Sequence, residues 1–135
     1  MSDITPEAYW QFSLASYPEH QAQMLRWQEE LGVNVNLALF CLFLQSLHIS
    51  LSKSVIRDLH LHVSTFSKAF TQQVRSVRAE FKRRNTELSQ YEQIRYHLLA
   101  TELLLERQEQ ANILSRFQSV SPTSATNPTD NLSTY

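Results

Sequence analysis

With 135 residues, one glycine, four prolines and one cysteine, the chain is a single domain of ordinary size, suited to long helices and too poor in turn residues for a β fold. One cysteine excludes an internal disulfide, and one glycine excludes a glycine-rich phosphate cradle. The net charge of −1 hides a segregation: residues 1–52 sum to −4, residues 53–84 to +6 and residues 85–135 to −3. Such an asymmetry bears on partners rather than on fold.

In chain order, Met1–Pro6 shows neither the positive nor the apolar region of a secretion signal, so a reducing, cytoplasmic setting is expected. Thr5-Pro6-Glu7 has the chemistry of a helix start: a hydroxyl cap, a proline at the first helical position and an acid in the first turn. Tyr9, Trp10, Phe12 and Leu14 make that first helix bulky. Pro18 is expected to close it near Tyr17 and to open a second helix carrying Met24, Trp27 and Leu31, with Gly32 as its left-handed stop.

Asn34 is then the natural cap of a third helix. From Leu37 to Leu44 that helix is apolar on every side, so other elements must surround it. It falls well short of the roughly 20 apolar residues that span a bilayer, and no transmembrane segment is expected. Cys41, inside this run, is expected to act as a small hydrophobe. The helix should end near His48, with Ser50 and Ser52 as candidate caps for the next.

Residues 53–84 carry the clearest period. At about 100° per residue, Val55, Ile56, Leu59, Val63, Phe66, Phe70, Val74, Val77 and Phe81 share one arc. Lys53, Arg57, Lys68, Arg75, Arg78 and Lys82 share a second arc facing away from the first. Leu59-His60-Leu61-His62-Val63 alternates like a strand, but a lone strand has no partner, so a helix with a kink near Ser64-Thr65 is expected. A last helix, Thr86 to about Gln118, has Arg95, Glu102 and Glu106 projecting into its apolar sector. Residues 119–135 are rich in Ser, Thr, Pro and Asn and are expected to form a disordered, dispensable tail. The expected architecture is all-α: a compact bundle of about five helices over residues 1–118, wrapped around a central apolar helix.

Gly32-Val33-Asn34-Val35-Asn36-Leu37, Val74-Arg75-Ser76-Val77-Arg78 and Glu102-Leu103-Leu104-Leu105-Glu106-Arg107 resemble a proteobacterial family catalogued as domain of unknown function 2390. The resemblance covers roughly residues 8–115, with the Asn-x-Asn-Leu start its most specific piece. It implies an all-helical fold and carries no activity. The family is expected to show a tryptophan in the basic helix, where this chain has none.

No catalytic, cofactor or metal set is expected. His60 and His62, two apart on a helix, point about 200° apart, and no Glu-x-x-His pair suggests a di-iron site. Arg95, Glu102 and Glu106 read as a polar pocket or, preferably, as a structural ion-pair network with nearby basic residues, since inward charges need partners. The basic arc of Lys53, Arg57, Lys68, Arg75, Arg78 and Lys82 is the best candidate contact face. It could meet an acidic protein partner, a second copy of the chain or, without base readout, a nucleic-acid backbone. If it faces solvent, reversing Arg75, Arg78 and Lys82 to Glu should change stability by no more than about 1 kcal/mol. A non-enzymatic interaction or adaptor module is the preferred reading, with a non-specific nucleic-acid-associated protein as the alternative.

Overall fold

The computed structural model describes residues 4–120 together with Asn131 and Tyr135. Thr5 opens α1, Pro6–Leu31, its hydroxyl accepting from the Ala8 N–H at 3.0 Å. Gly32, at φ 70°, ends the helix in the left-handed conformation that a residue without a Cβ adopts most readily. Asn34 caps α2, Val35–Ser46, by accepting from the Leu37 N–H at 3.0 Å, and His48, at φ 61°, turns the chain beyond its end. Ser52 caps α3, Lys53–Phe66, accepting from the Val55 N–H at 3.2 Å.

α3 runs through a π turn, Ser67–Thr71, into α4, Gln72–Arg83. A 3₁₀ turn, Asn85–Glu87, leads to α5, Tyr91–Val120. Among the described residues there is no strand, and no helix is long and apolar enough to cross a membrane.

Two expected helices are one. Pro18 lies inside α1, which continues unbroken past it. Proline deprives the Leu14 carbonyl of its usual N–H donor, but Leu14 and Pro18 are both exposed, so water can solvate that carbonyl. Counting α3, the π turn and α4 as one rod, the described fold has four helical rods rather than five. The last helix also begins at Tyr91 instead of Thr86, after the 3₁₀ turn.

α2 is the centre of the core. From Leu37 to Leu44 every residue except the half-buried Leu42 is buried. α1 and the second half of α5 pack on it, and α3 packs on α5 beside it. Tyr9 and Phe40 have ring centroids 5.0 Å apart, Phe40 meets Phe117 edge-on at 5.2 Å, and Phe12 lies 5.5 Å from Phe43. These aromatic pairs join α1, α2 and α5 with favourable ring geometry beyond simple area burial.

Residues 121–130 and 132–134 of the expected tail lie outside the described residues, but two tail residues are seated on the bundle. Asn131 is buried. Its Oδ1 accepts from the Leu51 N–H at 2.8 Å, and its Nδ2 donates to the Ile49 and Cys41 carbonyls at 2.7 and 3.3 Å. It thereby satisfies the backbone of the α2–α3 connection, which a buried loop needs. The Tyr135 hydroxyl accepts from the Asn34 N–H at 2.7 Å. At these two positions the tail meets the bundle through polar groups, which leave no apolar period in the sequence.

Two substitutions test this packing. Phe40→Ala should cost about 3–5 kcal/mol in chemical denaturation, as large-to-small changes in a filled core do. Asn131→Ala should cost about 1–3 kcal/mol by stranding the Leu51 N–H and the Ile49 carbonyl; an unchanged midpoint would mean that Asn131 does not dock.

Candidate functional site

The basic arc and the inward acids of the last helix meet, and the π turn is the reason. In α3 the buried inward positions are Ile56, Leu59 and Val63. Had the α-helical register continued, the inward line would have passed through Phe66, Phe70, Val74 and Val77. In the structure it passes one residue later, through the buried Ser67 and Thr71 and the half-buried Arg75 and Arg78. Within the π turn the Gln72 N–H donates to the Ser67 carbonyl, five residues back. One added residue rotates everything downstream by about 100°. Ser64 and Thr65, where a kink is expected, lie inside regular α3; the irregularity is the π turn at Ser67–Thr71, and its rotation is what sequence periodicity could not show.

The rotation has two consequences. On the inner side, Arg78 pairs with Glu102 through its Nε and, at 3.3 Å, through its Nη2, while Arg75 reaches Glu106 at 3.0 Å and Glu102 at 3.8 Å. Glu102 is only 6% exposed. Its hydrogen bond, ahead of the cost of burial, raises the Arg78 guanidinium pKa above its ordinary value. On the outer side, the apolar arc is left partly open: Phe70 and Val77 are 53% and 44% exposed, and no residue of α4 is buried. The Phe66 and Phe70 rings lie 5.1 Å apart along this open stripe.

The six expected contact residues therefore divide. Lys53, Arg57, Lys68 and Lys82 are exposed and take part in no ion pair among the described residues. Arg75 and Arg78 are turned inward, which corrects the expectation that all six face away from the core. Glu102 and Glu106 belong to the expected ion-pair network. Arg95 is exposed and lies outside it.

A second polar cluster lies where the Asn-x-Asn pair begins α2. Glu109, 2% exposed, accepts at Oε1 from Asn34 Nδ2 at 3.2 Å and from Asn36 Nδ2 at 3.1 Å. Gln110 Nε2 donates to Asn36 Oδ1 at 3.0 Å and to Ser13 Oγ at 2.9 Å, and the Tyr9 hydroxyl donates to the Asn36 carbonyl. A carboxylate here sits at the positive end of the α2 dipole. Burial pushes the Tyr9 phenol well above its ordinary pKa, so it remains a donor. Glu109 was not singled out from sequence, yet it follows Glu102 by seven residues and Glu106 by three, on the same face of α5.

Tyr135 and His60 border this cluster, the Tyr135 hydroxyl lying 2.8 Å from His60 Nδ1. A neutral imidazole can accept the Tyr135 hydroxyl proton at Nδ1 while that hydroxyl accepts from the Asn34 N–H. Burial, and then Lys68, lower the His60 pKa below its ordinary 6.5. Among the described residues no three His, Cys, Asp or Glu side chains are grouped as metal ligands.

The chain belongs to a family described as protein of unknown function (DUF2390), whose model matches residues 8–113. That span takes in both polar clusters and the whole of α4. Neither a curated protein nor a solved structure matches the chain.

Two outcomes follow from the inner network. Reversing Arg75 and Arg78 to Glu should destabilise the fold by about 2–4 kcal/mol, since each change sets like charges beside a buried carboxylate. Lys82→Glu should stay within about 0.5 kcal/mol; urea denaturation of the three variants separates the inward residues from the outward one. For His60, a lowered folded pKa means that the unfolded chain binds more protons as pH falls through 6.5. The contribution of neutral His60 is present above that value and is lost below it. Denaturation midpoints measured across this range should fall on acidification, and less steeply in His60→Gln.

Proposed function

We propose that the protein is a non-enzymatic helical interaction module of the bacterial cytoplasm that docks a protein partner on the open side of α4. The observation supporting this reading is the Phe66–Phe70–Val77 stripe. Its apolar side chains lie on a helix that packs mainly on α5, and Phe70 and Val77 are exposed along it. Large apolar side chains left exposed along one helix face are the mark of a docking surface.

The nucleic-acid alternative draws on Lys53, Arg57, Lys68 and Lys82. It loses Arg75 and Arg78, which are already engaged by Glu102 and Glu106, and it gives the exposed Phe70 and Val77 no role.

Capture by the tagged full chain from its native cell, with both protein and nucleic acid identified, separates the two. The docking reading predicts a defined protein that is lost with Val77→Asp, an exposed position whose change leaves the fold intact. Nucleic acid retained by wild type and Val77→Asp alike, and released by salt, would replace that reading with the alternative.

A further inference from the structure

We infer that the rod formed by α3, the π turn and α4 is a two-register switch, latched in the observed register by the charges between α4 and α5. In the second register the π turn relaxes to α-helix. Residues 72–83 then rotate by about 100° and advance by about 1.5 Å along the rod. The connection that follows is exposed over residues 84–87 and leaves room for that movement.

The sequence period favours the second register. Ile56, Leu59 and Val63, buried in α3, share one uninterrupted helical arc with Phe66, Phe70, Val74, Val77 and Phe81. Without the π turn, those five side chains would continue the buried line of α3 along α5, on which α3 and α4 both pack.

The observed register leaves two groups poorly placed. Phe70 and Val77 stay open to solvent, and the Thr71 hydroxyl is buried with no hydrogen-bond partner. An unpaired buried hydroxyl is destabilising. The second register relieves both, because it closes the apolar arc and turns Thr71 about 90° from the inward line, toward water. Opposing it are the contacts of Arg78 with Glu102 and of Arg75 with Glu106 and Glu102. One register satisfies charge pairing and the other apolar burial, which makes the rod bistable. Closing the arc would also remove the Phe70–Val77 surface; that consequence alone rests on the reading of α4 as a docking surface.

The test is thiol labelling at two positions that exchange environments. Cys41 is buried, so Val77→Cys and Thr71→Cys, made separately in the full chain, each add one probe. With the latch intact, position 77 should label fast and position 71 slowly. Glu102→Gln with Glu106→Gln should slow position 77 and speed position 71, each by about tenfold or more. Deleting Ala69 removes the added residue of the turn, so a continuous α-helix keeps Val77 outward. Position 77 should then label fast even with both glutamates changed.

Opposite changes at the two positions, cancelled at position 77 by the Ala69 deletion, support the switch. Unchanged labelling at both positions overturns it, because the observed register would then stand without its charges. Acceleration at both overturns it as well, since α4 would melt rather than turn, as does slowing at position 77 that persists after the deletion. If labelling reverses while the doubly changed chain still captures its protein, the switch stands and the docking surface is wrong.

Discussion

The π turn at Ser67–Thr71 is the constraint from which the surface of this protein follows. Up to Val63 the third rod behaves as its periodicity dictates, with Ile56, Leu59 and Val63 buried. Beyond the turn the inward line moves by one residue, so Arg75 and Arg78 occupy positions that Val74 and Val77 would otherwise hold. An apolar arc that would have sealed α4 against α5 is partly turned out, and two guanidinium groups are turned in. The inward guanidinium groups are matched by Glu102 and Glu106, which lie on the facing side of α5. Neither half of that arrangement is stable without the other. A buried Glu102 without Arg78 would be an uncompensated charge, and an inward Arg78 without Glu102 would lose its main partner.

α5 is the element that joins the polar parts. Glu102, Glu106 and Glu109 recur at helical spacing along one side of it. The first two meet α4 and the third meets the start of α2. At that start the Asn-x-Asn pair does two jobs. Asn34 Oδ1 caps the helix while its Nδ2, with that of Asn36, holds Glu109. Glu109 Oε1 thereby takes up two amide donors that the otherwise apolar core could not serve. This gives a physical reason for the Asn-x-Asn-Leu start by which the chain resembles its family. Arg107, stacked 4.8 Å over Trp10 and 3.3 Å from Glu7, fastens α1 to the outer side of the same helix.

Much of the fold was legible in the sequence because its signals are local. Thr5, Asn34 and Ser52 cap the helices as their side-chain chemistry suggests, Gly32 takes the left-handed stop, and the apolar run of α2 is the core. The misreadings share a cause: each depends on something that periodicity does not encode. Pro18 is tolerated inside α1 because its face is exposed. Asn131 and Tyr135 dock through hydrogen bonds rather than an apolar stripe. The inserted residue of the π turn leaves the sequence period of residues 53–84 intact while changing what that period faces. Of the candidate site, the inward acids Glu102 and Glu106 were readable as charges needing partners, but the identity of those partners depended on a rotation visible only in three dimensions.

The rotation of α4 is tested most directly by a double-mutant cycle between Arg78 and Glu102, with each residue changed to Ala singly and together. An inward Arg78 predicts a coupling of about 1–3 kcal/mol, while the corresponding cycle between Lys82 and Glu102 should be near zero. Additive losses for Arg78 and Glu102 would contradict the account, because they would place Arg78 in solvent, where an uninterrupted α-helical register puts it.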